Sequence, residues 1–331
     1  MYRTIISLAM LALLSSSCEK SFTGGASVAQ ETACLEVKLA SEGTKAAGGG
    51  GNEENAVSDC QVLIYDMSSR SLEAYVKPEP SAQSVSVRCT TGPKEVIVLA
   101  NAPDASRIVS YDAFLKTRSR LADNSIGRLV MEGNASPDLT ASGGSITVDM
   151  RRIVSKVVLD GITVDFESDA YDEMDFILRK AYLTNVAADR SYLAETPDPS
   201  LWYNQIKRSS ASEADAVIYE DLGDVNLKGT RKYTAMHHFY CYPNPYVDDT
   251  FSPDVWSPRP TRLVVEASLG NNLYYYPVSL PELKQNTRYH VSLNIVRPGA
   301  TSPEQDMEKH AVSFNISIEE WKGPENISET I

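Results

Sequence analysis

Residues 33–39 of the chain read ACLEVKL, which is a clear strand pattern. Its apolar side chains Leu35, Val37 and Leu39 alternate with polar or charged neighbours. Successive side chains of a β-strand point to opposite faces of the sheet, so this alternation predicts a strand with one buried face. The stretch is the first predicted strand of the chain.

A loop suited to proteolysis follows this strand. Residues 43–51 read GTKAAGGGG, which places the basic residue Lys45 among small residues. Such loops are preferred sites of nicking in any protein, and a cut after Lys45 would make Ala46 the new N-terminus. The cut would remove four basic and four acidic residues and leave the net charge at −13, so its effect would have to be structural. The alternative interpretation is an ordinary surface lysine.

The N-terminus has the features of a bacterial secretory signal. Arg3 precedes an apolar run at residues 5–14, and three serines lead to Cys18. A run of about ten residues is too short to span a bilayer, which needs about twenty. We therefore predict a signal peptide at residues 1–17 and lipidation of Cys18, although a serine stands where leucine is usual in lipoprotein signals. An ordinary secretory signal is the alternative.

The composition suits an exported protein without nucleic-acid partners. A chain of 331 residues has room for two domains. Its net charge of −13 argues against nucleic acids and anionic membrane surfaces. The cysteines contain no CxxC pair, which argues against zinc. Disulfides are possible in an exported protein, but free buried thiols are the favoured interpretation for the cysteines that follow the signal: Cys34, Cys60, Cys89 and Cys241.

Strand patterns continue along the rest of the chain. Many strands and few helices favour antiparallel β-sandwiches, and we place a domain boundary near Met150. One helix is predicted at residues 111–121, and the polar stretch 188–227 is predicted to form long loops with one short helix. Apolar runs predict strands at residues 60–65, 85–89, 95–100, 129–132, 146–150, 153–159, 162–166, 177–186, 234–242, 262–269, 273–278, 289–296 and 312–318.

Patterns of enzyme chemistry are missing from the sequence. It contains no phosphate-binding loop, no G-x-S-x-G elbow and no G-x-G-x-x-G turn. His237 and His238 are adjacent in a predicted strand and point to opposite faces, which disfavours a shared metal ion. The acidic groups at residues 172–175 and 248–249 are interpreted as solvated loops. We therefore predict a protein that is not an enzyme and uses no cofactor or metal.

Two aromatic clusters support an alternative function. Trp202 and Tyr203 are adjacent, and residues 274–276 are three tyrosines. Exposed rings that stack on sugars would make this a surface glycan-binding lipoprotein. Alternation in a strand would turn at least one of the three tyrosines into the core, so core packing is the favoured interpretation.

A family resemblance is carried by several stretches in order. They are GPKEVIVLANA at residues 92–102, MEG at 131–133 with the strands at 146–157, LKQNTRYHV at 283–291, RPG at 297–299 and a final strand ending in Trp321. In this order and spacing they resemble the fimbrillin superfamily of Bacteroidetes, whose members build type V pili (fimbriae). The resemblance spans nearly the whole chain.

The resemblance implies a fold and a maturation route. The fold is two transthyretin-like β-sandwich domains with short helices in loops, here residues 46–150 and 151–331. Members are exported as lipoproteins of the outer membrane, which implies a palmitate-type anchor on Cys18. A trypsin-like protease then cuts after a basic residue behind the first strand, and Lys45 matches that position.

The resemblance also implies an assembly mechanism and partners. The removable segment, residues 18–45, leaves with its strand, and a strand from another pilus subunit fills the groove. Such donor-strand exchange joins subunits head to tail into an extracellular fimbrium that supports adhesion. The implied partners are other pilus subunits, the maturation protease and, before cleavage, the outer membrane.

The role within the pilus is left open between stalk, tip and anchor. A donor strand should alternate apolar residues, and after Trp321 only Ile327 and Ile331 offer that pattern. This tail is therefore expected to be a weak donor. Anchor subunits keep their lipid, so the Lys45 site argues against a non-cleaved anchor, and a stalk role is slightly favoured over a tip role.

Overall fold

The computed structural model describes residues 31–41, 53–205, 218–248, 256–305 and 312–321. These residues form mostly β-strands. The strands of the first half are β1 (Thr32–Ser41), β2 (Cys60–Asp66), β3 (Ser71–Val76), β4 (Ser84–Thr90), β5 (Gly92–Ala100), β6 (Arg118–Arg120), β7 (Met131–Ala135), β8 (Asp138–Leu139) and β9 (Gly144–Arg152).

The second half adds a longer series of strands. They are β10 (Ser155–Val164), β11 (Phe176–Thr184), β12 (Val186–Ala187), β13 (Asp189–Ser191), β14 (Trp202–Tyr203), β15 (Tyr219–Asn226), β16 (Lys232–Tyr233), β17 (His237–Cys241), β18 (Arg262–Leu269), β19 (Asn272–Ser279), β20 (Thr287–Ile295) and β21 (Val312–Glu320). The helical elements are α1 (Tyr111–Phe114), α2 (Asp169–Asp172) and the 3-10 turns Glu53–Asn55 and Leu121–Asp123. None of the described helices is long and apolar enough to cross a lipid bilayer.

All strands of the first half except β6 form one large sheet. Its strand order is β3-β2-β5-β7-β9-β1-β4, with β8 paired to β5. Apolar side chains from several of its strands form a shared core that includes Leu35, Val62, Val98 and Val148. The opposite faces of β2 and β5 are also buried, which explains why their sequences read as continuous apolar runs.

The second half forms two larger sheets and a small sheet of β12 and β14. One larger sheet has the order β16-β10-β20-β21, with β17 paired to β10, and the other has the order β15-β11-β18-β19. The core of the larger sheets continues into the first half through residues such as Leu63 and Ile97. Leu159, Leu178, Val265 and Val291 belong to the apolar cluster that both sheets share. The chain passes from the first sheet to the second within a few residues, between β9 and β10.

The all-β prediction is confirmed, and the structure adds strand directions. Most pairings are antiparallel, but β1 runs parallel to β9 and β10 runs parallel to β20. Alternation of side chains cannot distinguish these directions because its period is the same in both. The two strands predicted at residues 153–159 and 162–166 are one strand, β10, with an irregularity between Leu159 and Gly161.

The helix prediction is wrong after Phe114. The helix α1 ends there, and Arg118–Arg120 forms β6, which pairs with β13 through Ser119 and Arg190. An ion pair of 2.6 Å between Arg118 and Asp189 strengthens this pairing. A strand partner distant in sequence therefore overrides the local helical pattern.

The loop prediction for residues 188–227 is also wrong in part. β13, β14 and β15 lie in this stretch, and no helix is found in its described residues. β15 is an edge strand of its sheet, and Leu222 is its only buried side chain. A strand that exposes nearly all of its side chains has no apolar alternation from which it could be predicted.

A buried ion pair joins the two halves of the molecule. The Arg190 guanidinium, on β13, lies 2.9 Å from the Glu132 carboxylate, on β7, and both side chains are almost fully buried. Glu132 also accepts a hydrogen bond from the main-chain N–H of Leu193. These contacts hold the loops of the second half against the first sheet.

Candidate functional site

The first strand lies inside its sheet. β1 runs antiparallel to β4 from the pair Thr32–Thr90 to the pair Lys38–Ser84, and parallel to β9 beginning at Leu35. Among the described residues, β4 has no strand partner other than β1. Residues 144–150 of β9 pair with β1 alone, because β7 reaches β9 only at its last two residues. Loss of β1 would therefore leave two strands facing an open slot.

The inward face of β1 is apolar. Leu35 and Val37 are fully buried, Ala33 is buried, and Leu39 is half-buried against the same core. Burial of each leucine or valine side chain stabilises a fold by about 1.5–3 kcal/mol. The side chains predicted from the alternation are therefore part of the core, and their removal would leave cavities in it.

The outward face of β1 is in contact with solvent. Cys34 lies on this face and is exposed, so the prediction that it is buried is wrong. Glu36, also on this face, accepts a hydrogen bond of 2.9 Å from the Ser145 hydroxyl of β9. Since this face carries few specific contacts, the apolar face and the main-chain ladders hold the strand.

Cys60, Cys89 and Cys241 are buried and free, as predicted. Burial raises the pKa of Cys60 and of Cys89 to about 11, and it raises the pKa of Cys241 to about 12. A thiol reacts as its thiolate, so these three cysteines are inert packing residues at neutral pH.

A glycine lets the start of β9 approach β1 closely. Gly143 has a φ of +86°, and a Cβ atom built on it would lie 2.9 Å from the main-chain oxygen of Cys34. A larger residue would both adopt a strained backbone and press against β1. Gly143 therefore belongs to the wall of the slot.

The far wall of the slot is held by a buried lysine. The Lys94 ammonium, on β5, lies 2.6 Å from Asp66 on β2 and 2.9 Å from Glu73 on β3. It also donates to the hydroxyl of Thr90, the last residue of β4. The hydrogen bond from Lys94 holds the pKa of the Asp66 carboxyl below its usual value. These contacts keep the end of β4 in place without help from β1.

Several predicted site residues lie outside the described ranges. They are Cys18, Lys45, Ala46, Ile327 and Ile331, so lipidation, cleavage and donation by the tail stay predictions. After residue 41 the described chain resumes at the 3-10 turn Glu53–Asn55, whose last two side chains are buried.

The aromatic clusters are packed rather than open. Trp202 is almost fully buried and its ring lies 5.3 Å from the ring of Trp256. In the tyrosine run, Tyr276 is buried, while Tyr274 and Tyr275 are half-buried. A buried indole cannot stack on a sugar, so Trp202 gives no support to glycan binding.

The histidines and acidic loops also have structural partners. His237 contacts the hydroxyl of Tyr233, and Asp172 forms an ion pair of 2.8 Å with Arg231. Within the ranges that the structure describes, no group of three or more His, Cys, Asp and Glu side chains is arranged to hold a metal ion.

Sequence reasoning missed the buried charges. Lys94 supports the slot, and Arg152 and Lys156 lie buried near the end of β9 and the start of β10. The signal that could have found Lys94 and Lys156 is a charged residue inside an otherwise apolar strand, because such a residue is buried only with partners.

Comparisons with known proteins agree with this architecture. Residues 33–157 match the family model described as major fimbrial subunit protein (FimA). Among curated proteins, none matches the chain. The matched region contains β1, both neighbours of β1 and the start of β10.

Solved structures share the fold over most of the chain. A fimbrilin (FimA) from Porphyromonas gingivalis W83 aligns with a TM-score of 0.62 at 15% identity, covering 88% of this chain and 98% of that one. A candidate cell adhesion protein from Bacteroides eggerthii aligns with a TM-score of 0.64 at 15% identity, covering 88% and 96%. The tip fimbrial protein Mfa3 from P. gingivalis aligns with a TM-score of 0.54 at 14% identity, covering 88% and 100%.

The predicted resemblance is thereby confirmed. Residues 33–157 are similar to the major fimbrial subunit family, and most of the chain shares the β-sandwich fold of the fimbrilin structure.

Proposed function

We propose that the chain is a fimbrial structural subunit and that β1 is a temporary strand, which a strand of another subunit replaces. The precursor is exported by residues 1–17, anchored in the outer membrane by lipid on Cys18, and cut after Lys45. The trimmed subunit, beginning at Ala46 with domains at residues 46–150 and 151–331, then enters the extracellular fimbrium by donor-strand exchange.

One observation carries this proposal, namely the position of β1 between β4 and β9. A strand at the edge of a sheet leaves one unsatisfied ladder when it departs, whereas an inner strand leaves two. The pockets of Leu35 and Val37 would open at the same time. Only another extended chain restores both ladders and both pockets.

The energetic consequences favour exchange over simple loss. Exposing the pockets of the two fully buried side chains costs on the order of 3–6 kcal/mol. Each unreplaced main-chain hydrogen bond adds about 0.5–1.5 kcal/mol. A trimmed subunit with an empty slot is therefore strongly driven to take up a strand.

The slot also specifies what a good donor looks like. It must run parallel to β9 and antiparallel to β4, with apolar residues at every second position. Ile327 and Ile331 have the same spacing as Leu35 and Leu39, which puts Glu329 at the position of Val37. Burial of an unpaired carboxylate is unfavourable. The slot should therefore accept a strand from a different pilus protein more readily than the tail of another copy of this protein.

The first experiment tests the cleavage. The full exported chain is treated with a trypsin-like protease under native conditions, and the product is analysed by N-terminal sequencing and intact mass. We expect a start at Ala46, and we expect Lys45→Gln to block this product. Lys38→Gln, a change within β1, serves as the matched control and should leave cleavage intact. A main cut elsewhere would contradict the assigned site.

The second experiment tests the exchange. A labelled peptide with the sequence of residues 32–41 is incubated with the cleaved protein, and binding is followed by size-exclusion chromatography. We expect uptake of this peptide and no uptake of the same peptide with aspartate at the positions of Leu35 and Val37. Cleaved protein that binds neither peptide and stays monomeric with added pilus subunits would exclude donor-strand exchange.

A further inference from the structure

A buried cluster lies where the end of β21 meets the segment before β2. Trp321 is at its centre and is fully buried. We call this the Trp321 cluster, and its members are Glu54, Arg152, Lys156, Tyr240, Arg288 and Trp321. It joins the first described residues after the Lys45 loop to the last described residue of the chain.

Arg152 makes the contacts that tie these segments together. Its guanidinium donates to the main-chain oxygens of Trp321 at 3.3 Å and Glu54 at 3.1 Å. It also donates to the side-chain oxygens of Asn286 and Asn55. The guanidinium carbon lies 4.6 Å from the centre of the Trp321 ring. One side chain thus contacts three separate parts of the chain.

The indole of Trp321 is surrounded by cations and one aromatic ring. Arg288 and Lys156 lie 5.4 and 5.6 Å from its centre, and the Tyr240 ring stacks on it at 6.0 Å. Glu54 balances part of the positive charge through an ion pair of 2.5 Å with Lys156. Cation–π contacts strengthen when they are desolvated, as here, so the cluster holds Trp321 firmly.

Arg152 is also the last residue of a strand that lines the β1 slot. The final pair between β1 and β9 is Ser41 with Met150, two residues before Arg152. With β1 absent, β9 keeps only its ladder to β7, at Arg151 and Arg152. The part of β9 that would lose its strand partner therefore ends next to the residue that holds Trp321.

We infer that Arg152 is a positioning residue that couples occupancy of the β1 slot to the fixing of the chain at Trp321. A filled slot orders β9 and holds Arg152 on Trp321, whereas an empty slot loosens both. The biological meaning of this coupling rests on the proposed strand exchange. A subunit whose slot is filled then presents the chain beyond Trp321 from a fixed point, which favours ordered growth of a filament.

The coupling must act equally in both directions, because linked equilibria are reciprocal. Loosening Trp321 should weaken the hold on β1 as much as loosening β1 weakens the hold on Trp321. A loss of global stability would instead raise amide exchange throughout the chain.

Hydrogen exchange of the intact chain tests the inference. Leu35→Ala creates a cavity under β1, and we expect faster amide exchange in β1 and β9. We also expect exchange at residues 312–321 to rise on the order of tenfold, as is usual for coupled sites. In an Arg152→Gln background, baseline exchange at residues 312–321 is higher, but Leu35→Ala should change it less than about twofold.

The controls separate coupling from global unfolding. Arg151→Gln alters the exposed neighbour on the same strand and should leave the tenfold response intact. Exchange in β18, which lies in the other sheet of the second half, should change much less than exchange at residues 312–321 in each variant. If Arg152→Gln does not fold, Arg152→Lys keeps the charge but loses the forked hydrogen bonding, and it should lose most of the response.

Two results would overturn the inference. One is an unchanged exchange rate at residues 312–321 when Leu35→Ala loosens β1. The other is an equal response in the native and Arg152→Gln backgrounds, which would leave Arg152 with a structural role alone. Neither result depends on cleavage or peptide uptake, so failure of this coupling is distinct from failure of strand exchange.

Discussion

The first and last described strands, β1 and β21, look alike in sequence and differ in the fold. Both alternate apolar and polar residues over about nine positions. β1 lies between two strands and buries Leu35 and Val37 completely, whereas β21 is an edge strand that pairs, among the described residues, with β20 alone. Phe314 and Ile318 of β21 are 49% and 57% exposed.

This difference shows which of the two strands would leave an open site if it departed. Departure of β1 opens two ladders and a core, so the vacancy must be refilled. Departure of β21 would uncover one side of β20 and little apolar core. Position in the sheet, and not apolar content, decides that β1 leaves a site for another strand.

The largest expected effect comes from the wall of the β1 slot. Lys94→Met removes the cation that lies between Asp66 and Glu73, which leaves two carboxylates in a largely buried site. We expect the free energy of unfolding in urea to fall by about 3–5 kcal/mol. The matched control is Lys180→Met, which removes a half-exposed partner of Glu266 at 3.4 Å and should cost no more than about 1 kcal/mol.

A cavity under β1 comes next. Leu35→Ala should lower the free energy of unfolding by about 2–5 kcal/mol, because it removes a fully buried side chain from a closed core. The same loss measured by urea denaturation for Val37→Ala should be smaller, since fewer atoms are removed. A cost below about 0.5 kcal/mol, the scale of surface changes, would show that β1 does not seal the core.

The close approach at Gly143 gives an intermediate effect. Gly143→Ala places a side chain on a backbone with positive φ and against the Cys34 carbonyl, at a cost of about 1–3 kcal/mol. The contact with Cys34 depends on the presence of β1, whereas the backbone strain does not. We therefore expect the variant to release β1 faster after cleavage, measured by peptide exchange, and equal release rates would contradict the close contact.

Acidification should destabilise the slot wall more than it destabilises β21. The pKa of Asp66 is lowered in the folded state by the hydrogen bond from Lys94, so its stabilisation is present above the unfolded pKa. It is lost as the pH falls through about 4 and below. Glu319 on β21 has a pKa lowered by Arg288, but its exposure screens the effect. Urea denaturation of Asp66→Asn and Glu319→Gln should therefore show a reduced acid dependence only for Asp66→Asn.

The smallest effect is expected on the exposed face of β21. Ile318→Ser changes a side chain that is 57% exposed, so the free energy of unfolding should shift by no more than about 0.5 kcal/mol. Light scattering should show less self-association, since apolar edge strands promote it. A cost comparable to that of Leu35→Ala would erase the distinction between the two strands.

Much of the fold could be predicted from local patterns. The predicted bounds of β2 and β18 agree almost to the strand ends, because continuous apolar runs can be recognised without a partner strand. The prediction for β5 begins three residues late, since the strand starts at the polar stretch from Gly92. β6 was predicted as helix and β15 as loop, since their strand character comes from pairing with distant segments. The partners of the buried charges could not be predicted for the same reason. Lys94 is stable in the interior because it forms ion pairs with Asp66 and Glu73, which lie on two other strands.

The all-β class could be read from the sequence alone, and so could the apolar face of the first strand, formed by Leu35, Val37 and Leu39. Alternation along one strand is a local property, so it can be read without the fold. Two features are visible only in the folded molecule. β1 lies between β4 and β9, and Arg152, the last residue of β9, contacts Trp321. Strand order and buried charge pairs arise from contacts between residues far apart in sequence, which no local pattern encodes.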